Sequence, residues 1–475
     1  MTTMPQVPAV TPSDTLLARI SRIAGGSPRS DLLDTRFAAQ SNAWGQSFGL
    51  PAHIALAMLW IGGAAGPIAA VEVLPIPLAV CVLARLHVTI KLWPFALSSR
   101  LLMLCIAFAA WSAFTLTWSP DRTKGVQEIG NTRWLWCILG VLPVLHKRSW
   151  LIAALIAGTM LGMGTQLLEA IGHRFGIDAL IWPHPPNPQE HARISGWWHH
   201  PVMGGIILVG SLGLHLPPAV FGKGWRRWAG IAGSTASLIA MVATGTRSAW
   251  LAAFALIAIV LGCAIFRLPK TKAIRLLAGA AVIATILAGT VWAVRGDAIA
   301  ARVRSATTEV TRALRDRDYT SDSGARVNFA IWASRMIAER PLVGHGAGSY
   351  EPWVRAALAK DSIDPASVRI APQAHNTLLH SWATLGLPGP LLLGSILLVA
   401  ACGGVVVARE TAPVGQDWAG TYGIGPSCAI LGIAIVSCFD TIYVNVQPAA
   451  FTSALLALCL PLVPAGAKTS ADECR

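Results

Sequence analysis

Charge is what this sequence has least of. Asp, Glu, Lys and Arg together make up 13% of 475 residues, and the acids are the scarcer half, 23 against 37 Lys and Arg. With 54% hydrophobic residues and a mean hydropathy of +0.56, this excludes an ordinary soluble multidomain enzyme and points to the integral-membrane class. Tyrosine is scarce too, 4 against 19 tryptophans, so most interfacial aromatic anchors are expected to be indoles. No Cys-x-x-Cys pair occurs. Cys81, Cys105, Cys137, Cys263, Cys402, Cys428, Cys438 and Cys459 lie in or beside apolar runs and Cys474 in the tail, so they read as small buried hydrophobes and not as a disulfide or thiolate-metal framework. Neither a repeat of solenoid period nor a Lys/Arg face interleaved with aromatics is present, which turns the net charge of +14 away from nucleic acid. The first apolar run starts near residue 50, behind Arg19, Arg22, Arg29 and Arg36, too late for a cleaved signal peptide.

What the chain has is apolar runs long enough to cross a hydrocarbon core of roughly 30 Å. The pattern predicts an all-α polytopic membrane protein with about twelve transmembrane helices and one long helical loop between spans nine and ten. Residues 1–47 form an N-terminal segment, 48–294 hold spans one to nine, 295–386 the long loop, 387–464 spans ten to twelve, and 465–475 a tail. In the first of these, Leu16, Leu17, Ile20 and Ile23 fall at helical spacing beside arginines, as in a surface-lying helix, though simple disorder fits as well. Five short loops on one side carry thirteen Lys and Arg, among them Arg85, Lys91, Arg100, Lys147 and Arg409; the five opposite carry six, including Arg122, Arg133 and Arg174. Basic residues concentrate in the cytoplasm, so both termini are expected there and the long loop in the periplasm or outside the cell.

The outer connections hold the polar residues that chemistry needs. TWSPDRTKGVQEIGNTRW reads as a turn into a short helix, with Asp121 and Arg133 as a solvated pair. HARISGWWHHPVMGG places Arg193 before span six, with Trp197 and Trp198 at the water boundary. ATGTRSAWL is a tight turn that sets Arg247 at the membrane edge, where an ionisable side chain either serves a site or snorkels. Residues 297–318 alternate acid and base as a solvated helix does. From Ser323, a candidate N-cap, a second helix runs to about Glu339 with Arg326 in its first turn, opposing the helix dipole at a small cost that a bound anion would offset. The GHGAGS turn that follows resembles a phosphate cradle but lacks the Lys-Ser/Thr ending of a P-loop. His375, Asn376 and His380 then open span ten.

Arg193 and Arg247 are separated by two spans, Arg247 and Arg326 by two more, and His375 shares a loop with Arg326. An even number of crossings returns the chain to the same side, so three arginines and a histidine share one membrane face whichever face that is. Guanidinium forks suit phosphate and diphosphate oxygens. A neutral imidazole can take a proton from an attacking hydroxyl. Each also has an ordinary use, the arginines as surface or snorkelling residues and the histidine as a satisfied structural one. A metal site from His199, His200, His345, His375 and His380 is not expected, since His375 and His380, five apart, point to different helix faces, unlike a zinc pair four apart.

In order along the chain stand GTRSAW, ARVNFAIW, PLVGHGAGSY, HNTLL and LGLPG. With the span pattern they resemble the O-antigen ligase and O-antigen polymerase superfamily, over approximately residues 193–390. The resemblance implies a metal-independent, cofactor-free, inverting glycosyltransferase of the bacterial inner membrane, working on lipopolysaccharide or another cell-envelope polysaccharide. Its donor would be an undecaprenyl-diphosphate-linked glycan and its acceptor a lipid A core or a second glycan. By the same resemblance Arg247 and Arg326 would bind the diphosphate, Arg193 would assist, and His375 would activate the acceptor hydroxyl. Ligase, polymerase and protein oligosaccharyltransferase differ only in acceptor. A transporter or flippase of lipid-linked sugars is the alternative of another class, against which stands the gathering of polar residues at one face, where transporters place them near the midplane.

Overall fold

The computed structural model describes residues 19–24, 49–177, 193–198, 200–365, 368–412 and 417–461. Most of the N-terminal segment, the Pro-rich stretch before Arg193, His199 and the tail lie outside the described residues. Among the described residues every regular element is a helix. The first expected span, 52–70, holds α1 (Leu50–Gly63) and the start of α2 (Ile68–Val73); the second, 73–92, is broken into α3 (Pro75–Ala84) and α4 (Leu86–Leu97). Pro75 lacks the N–H that would continue the ladder from α2. Then come α5 (Arg100–Thr115), α6 (Arg122–Thr132), α7 (Trp134–Val141), a 3₁₀ segment over Leu142–Lys147 that contains Pro143, and α8 (Arg148–Phe175).

The centre of the molecule is α9 (Pro201–Phe221), buried on nearly every side, as a helix that is apolar all round must be. It packs against α10 (Trp225–Thr244), α11 (Arg247–Arg267) and α17 (Gly425–Val436). Its glycines permit close approach: a Cβ at Gly213 would lie 2.5 Å from the Ala429 backbone and one at Gly210 would enter the Phe451 ring. By contrast, α11 turns Phe254 and Phe266 outward, and α3 does the same with Ile76 and Leu83. Large apolar side chains displayed in rows on the outside suit lipid.

Four segments are long and apolar enough to cross a membrane, Ile138–Gly172, Pro201–Phe221, Arg247–Arg267 and Pro388–Arg409, and five shorter apolar helices accompany them. Together with the outward apolar faces they make the chain an integral membrane protein. These are nine segments among the described residues, against about twelve expected from hydropathy; the fourth and fifth expected spans fall together in Ile138–Gly172, and neither set includes the helices over Trp225–Thr244 and Lys270–Arg315.

Span nine does not stop where its hydropathy does. It continues as α12 (Lys270–Arg315), 46 residues without interruption and about 70 Å long at 1.5 Å per residue, so the expected solvated helix is the far half of one rod. After it, α13 (Asp322–Glu339), α14 (Tyr350–Lys360) and α15 (Thr377–Leu385) build a layer with its own small core of Phe329, Trp332, Met336, Tyr350, Val354 and Leu358. α15 ends at Gly386 (φ 70°), and the next long helix, α16 (Pro388–Thr411), starts afresh, so His375 and His380 belong to this layer and not to span ten. α17 and α18 (Val446–Leu458) are the last helices among the described residues, joined by a short strap over residues 437–445.

Candidate functional site

One correction to the sequence reading, at the cap of α13, and the packing of the Gly-rich turn set the geometry. The cap of α13 is Ser321, whose Oγ accepts the Gly324 N–H at 3.1 Å; the expected cap, Ser323, instead accepts with its Oγ from Arg247 Nη1 at 3.0 Å. The Gly-rich turn, whose ending already departs from a P-loop, has its donors in use. The N–H groups of His345, Gly346, Ala347 and Gly348 go to Ala383 O, Thr384 O, Thr115 Oγ1 and Glu128 Oε2. Gly344, Gly346 and Gly348 all have positive φ, and a Cβ at Gly348 would lie 2.3 Å from Gly125 N. Only glycine lets this turn press onto α5 and α6. His345 within it points its ring at Met336 O (3.1 Å), and burial with the nearby Arg340 holds its pKa below the usual histidine value against the raising effect of that carbonyl and Glu339.

Arg247 is the first residue of α11, turned into place by Gly245 (φ 61°). Beside it, Arg193 Nε donates to Thr244 O (2.8 Å) and Nη2 to Thr246 Oγ1 (3.2 Å), so Arg193 braces the turn that presents Arg247. From the far half of α12, Glu309 reaches over. Its carboxylate lies 3.9 Å from Arg247 Nη2 and accepts the Ser323 N–H at 3.2 Å and the Ser305 hydroxyl. Burial opposes its charge, but the two serines and Arg247 outweigh burial and keep its carboxyl below the ordinary glutamate range.

Arg326, one turn along α13 from Ser323, has its Nη2 3.8 Å from Asp440 Oδ2; His375 Nδ1 is 3.5 Å from Oδ1 of the same carboxylate. Asp440, in the strap, is 1% exposed, and its Oδ1 also accepts the Thr441 N–H at 2.9 Å. Two basic side chains converge on one buried carboxylate, the arrangement that makes a buried charge tolerable. His375 stacks on Phe329 with centroids 5.4 Å apart and keeps 28% of its side chain exposed. Its φ of 50° is a left-handed conformation that non-glycine residues seldom adopt.

The HNT tripeptide explains how that conformation is held. Asn376 caps α15 through Oδ1 to the Leu379 N–H (3.0 Å) and donates Nδ2 to Cys438 O (2.7 Å). Thr377 donates its N–H to Ser437 O (2.8 Å) and its hydroxyl to Asp440 O (2.8 Å). The residues after His375 therefore staple α15 to the strap that carries Asp440.

All four residues nominated from sequence thus lie along one connected path, Arg193 to the 244–246 turn, Arg247 to Ser323, and Arg326 through Asp440 to His375. Asp440 and Glu309 escaped the sequence reading. An acid at the end of an apolar run was the signal for Asp440; Glu309, in an alternating charge pattern, had none. Other sequence features turn out to be structural. Trp198 is fully buried and donates to Ala65 O (2.8 Å), so it anchors the core and not a water boundary. Asp121 caps α6 and Arg133 pairs with Glu72 at 2.7 Å, so those two are not partners. Asp318 accepts from the Thr320 N–H and hydroxyl, and among the described residues no three His, Cys, Asp or Glu are grouped to hold an ion.

An integral membrane protein with an arginine-rich, imidazole–carboxylate site beside a helical layer is the class that fold and site define. Residues 232–394, about a third of the chain, match the family model described as O-antigen ligase, which supports membership of the O-antigen ligase/polymerase superfamily. The matched stretch contains Arg247, Glu309, Arg326 and His375; Arg193 and Asp440 lie outside it. No curated protein matches the chain.

Proposed function

We propose that this protein is a glycosyltransferase of the bacterial inner membrane that moves an undecaprenyl-diphosphate-linked polysaccharide onto an acceptor hydroxyl at the periplasmic face, with a lipid A core as acceptor and both termini in the cytoplasm. A polymerase that uses a second lipid-linked glycan would employ the same site. The observation that carries the reading is the convergence of Arg326 and His375 on buried Asp440, one turn of α13 from the serine that holds Arg247. His375 Nδ1 faces the carboxylate, which favours a proton there and leaves Nε2, across the ring, as the base.

The chemistry then balances without a metal or cofactor. The acceptor hydroxyl gives its proton to His375 Nε2 as its oxygen bonds to the anomeric carbon. The bond from that carbon to the diphosphate oxygen breaks on the opposite side, with inversion, and the electron pair leaves with the diphosphate. Arg247 and Arg326 stabilise the charge gathering there, and Asp440 stabilises the imidazolium. Arg193 acts through the turn. An apolar cavity of about 840 Å³ among α1, α3, α4 and α7, lined by Trp60, Leu78, Val82 and Trp93, is consistent with a lipid substrate.

Detergent-purified protein supplied with a lipid-diphosphate glycan, a lipid A core and a chelator is expected to yield the joined product, and His375→Ala at equal protein level is not. Product from His375→Ala at the parental rate would sink the general-base assignment. Absence of product from the parent with every defined acceptor, alongside translocation of the donor in vesicles, would favour a flippase.

A further inference from the structure

The left-handed His375 is stapled on its C-terminal side by Asn376 and Thr377. On its N-terminal side the contact is less obvious. The Ala374 N–H lies 3.4 Å from Nδ1 of His380, a residue that is fully buried. An N–H directed at Nδ1 requires a lone pair there, so the ring proton of His380 sits on Nε2. That nitrogen is 3.6 Å from Glu128 Oε1, an ion-pair separation just beyond hydrogen-bond length, and among the described residues no hydrogen bond answers it. The second oxygen of Glu128 accepts the Gly348 N–H at 3.0 Å. Tyr350 and Tyr443 wall the imidazole at 5.6 and 5.9 Å between centroids. A second carboxylate–imidazole pair, from α6 and α15, therefore stands behind the first.

We infer that Glu128 and His380 are positioning residues for His375. Glu128, fixed by the Gly-rich turn, holds the His380 proton on Nε2; the Nδ1 lone pair then receives the Ala374 N–H, and the Gln373–Ala374 peptide, one residue before His375, is locked so that the His375 ring meets Asp440. Neither residue touches substrate. The inference rests on the reading of His375 as the base, and it assigns a use to His380, the buried histidine that directly follows the HNTLL motif. It also explains why the α6 connection reaches the site without contributing a reacting group.

Glu128→Gln separates this role from packing. A glutamine has one carbonyl oxygen for two donors. If that oxygen keeps the Gly348 N–H, the amide NH₂ faces His380 Nε2 and drives the ring proton to Nδ1, against the Ala374 N–H. The expected result is a fall in kcat of roughly tenfold to a hundredfold, as for a misplaced reacting group, with KM for donor and acceptor and the melting temperature within error of the parent. At the other end, His380→Asn keeps an acceptor near the Nδ1 position and is expected to retain several-fold more kcat than His380→Leu, which has none. A parental kcat for Glu128→Gln, or equal kcat for His380→Asn and His380→Leu, overturns the inference. His375→Ala run in parallel keeps the two ideas apart: activity there sinks the base, whereas a dead His375→Ala beside a fully active Glu128→Gln sinks only the positioning role.

Discussion

Replacing Asp440 by asparagine tests the centre of the site with the least change of shape. The substitution removes one negative charge and keeps an oxygen for the Thr441 N–H. At the 3.5 Å separating Asp440 Oδ1 from His375 Nδ1, the attraction for an imidazolium is about 4.7 kcal/mol at an effective dielectric of 20 and about 1.2 kcal/mol at that of water. The carboxylate is 1% exposed but the imidazole 28%, so the true screening falls between these limits. The imidazolium forms during the reaction, so its loss of stabilisation appears in the barrier, and at 1.36 kcal/mol per decade kcat should fall roughly tenfold to a thousandfold. Arg326 has its Nη2 3.8 Å from the same carboxylate and is released by the change, so donor KM should stay level or drop. Single-turnover transfer in detergent, with donor binding measured separately on the same preparation, reads both quantities. A kcat within twofold of the parent for protein of unchanged melting temperature would refute the role of Asp440, and a large rise in donor KM would mean that the carboxylate serves the donor and not the base.

Two further outcomes follow from the arginine side. Arg247→Lys keeps the charge but loses the fork that reaches Ser323 and Glu309, and is expected to weaken donor binding about tenfold; an unchanged donor Kd would remove Arg247 from the diphosphate site. Glu309 occupies the Arg247 guanidinium much as a phosphate oxygen would, in a half-exposed pair of the kind that contributes up to about 1 kcal/mol. Glu309→Gln should tighten donor binding by about fivefold or less at neutral pH. Because the Glu309 carboxyl is held below its ordinary value, its contribution to stability is complete above that value and is lost as pH falls through the lowered one. The parent should therefore lose its melting-temperature advantage over Glu309→Gln in acid; an advantage that grows in acid would contradict the sign.

The parts of the fold and site that sequence made legible are local. Arg247 and Arg326 could be found because each stands in its own short motif, and parity of crossings placed them on one face without any structure. Asp440 could not be tied to His375 in the same way, since 65 residues and a reversal of the chain lie between them. The continuity of α12 was hidden for a different reason: hydropathy falls near residue 295 when the helix leaves the apolar phase, but no proline interrupts 270–315 and the backbone does not notice. Ser321 and Ser323 sit two apart, and only the competing demand of Arg247 for a hydroxyl decides which of them caps. For the Gly-rich turn the missing P-loop ending argues against an anion cradle, but the run of glycines does not reveal what it does serve, a close contact between backbone segments.

That turn has a practical consequence. Four successive amide hydrogens of 345–348 are answered by groups on α5, α6 and α15, two of them from Thr115 and Glu128, well over 200 positions earlier in the chain. The hydrophilic layer therefore has no clean line along which it can be cut away for study in water. Severed there, it would carry off exposed donors and a turn whose shape exists only against its missing mate, so any soluble fragment chosen by hydropathy alone would begin at a seam that two pieces of protein hold in common.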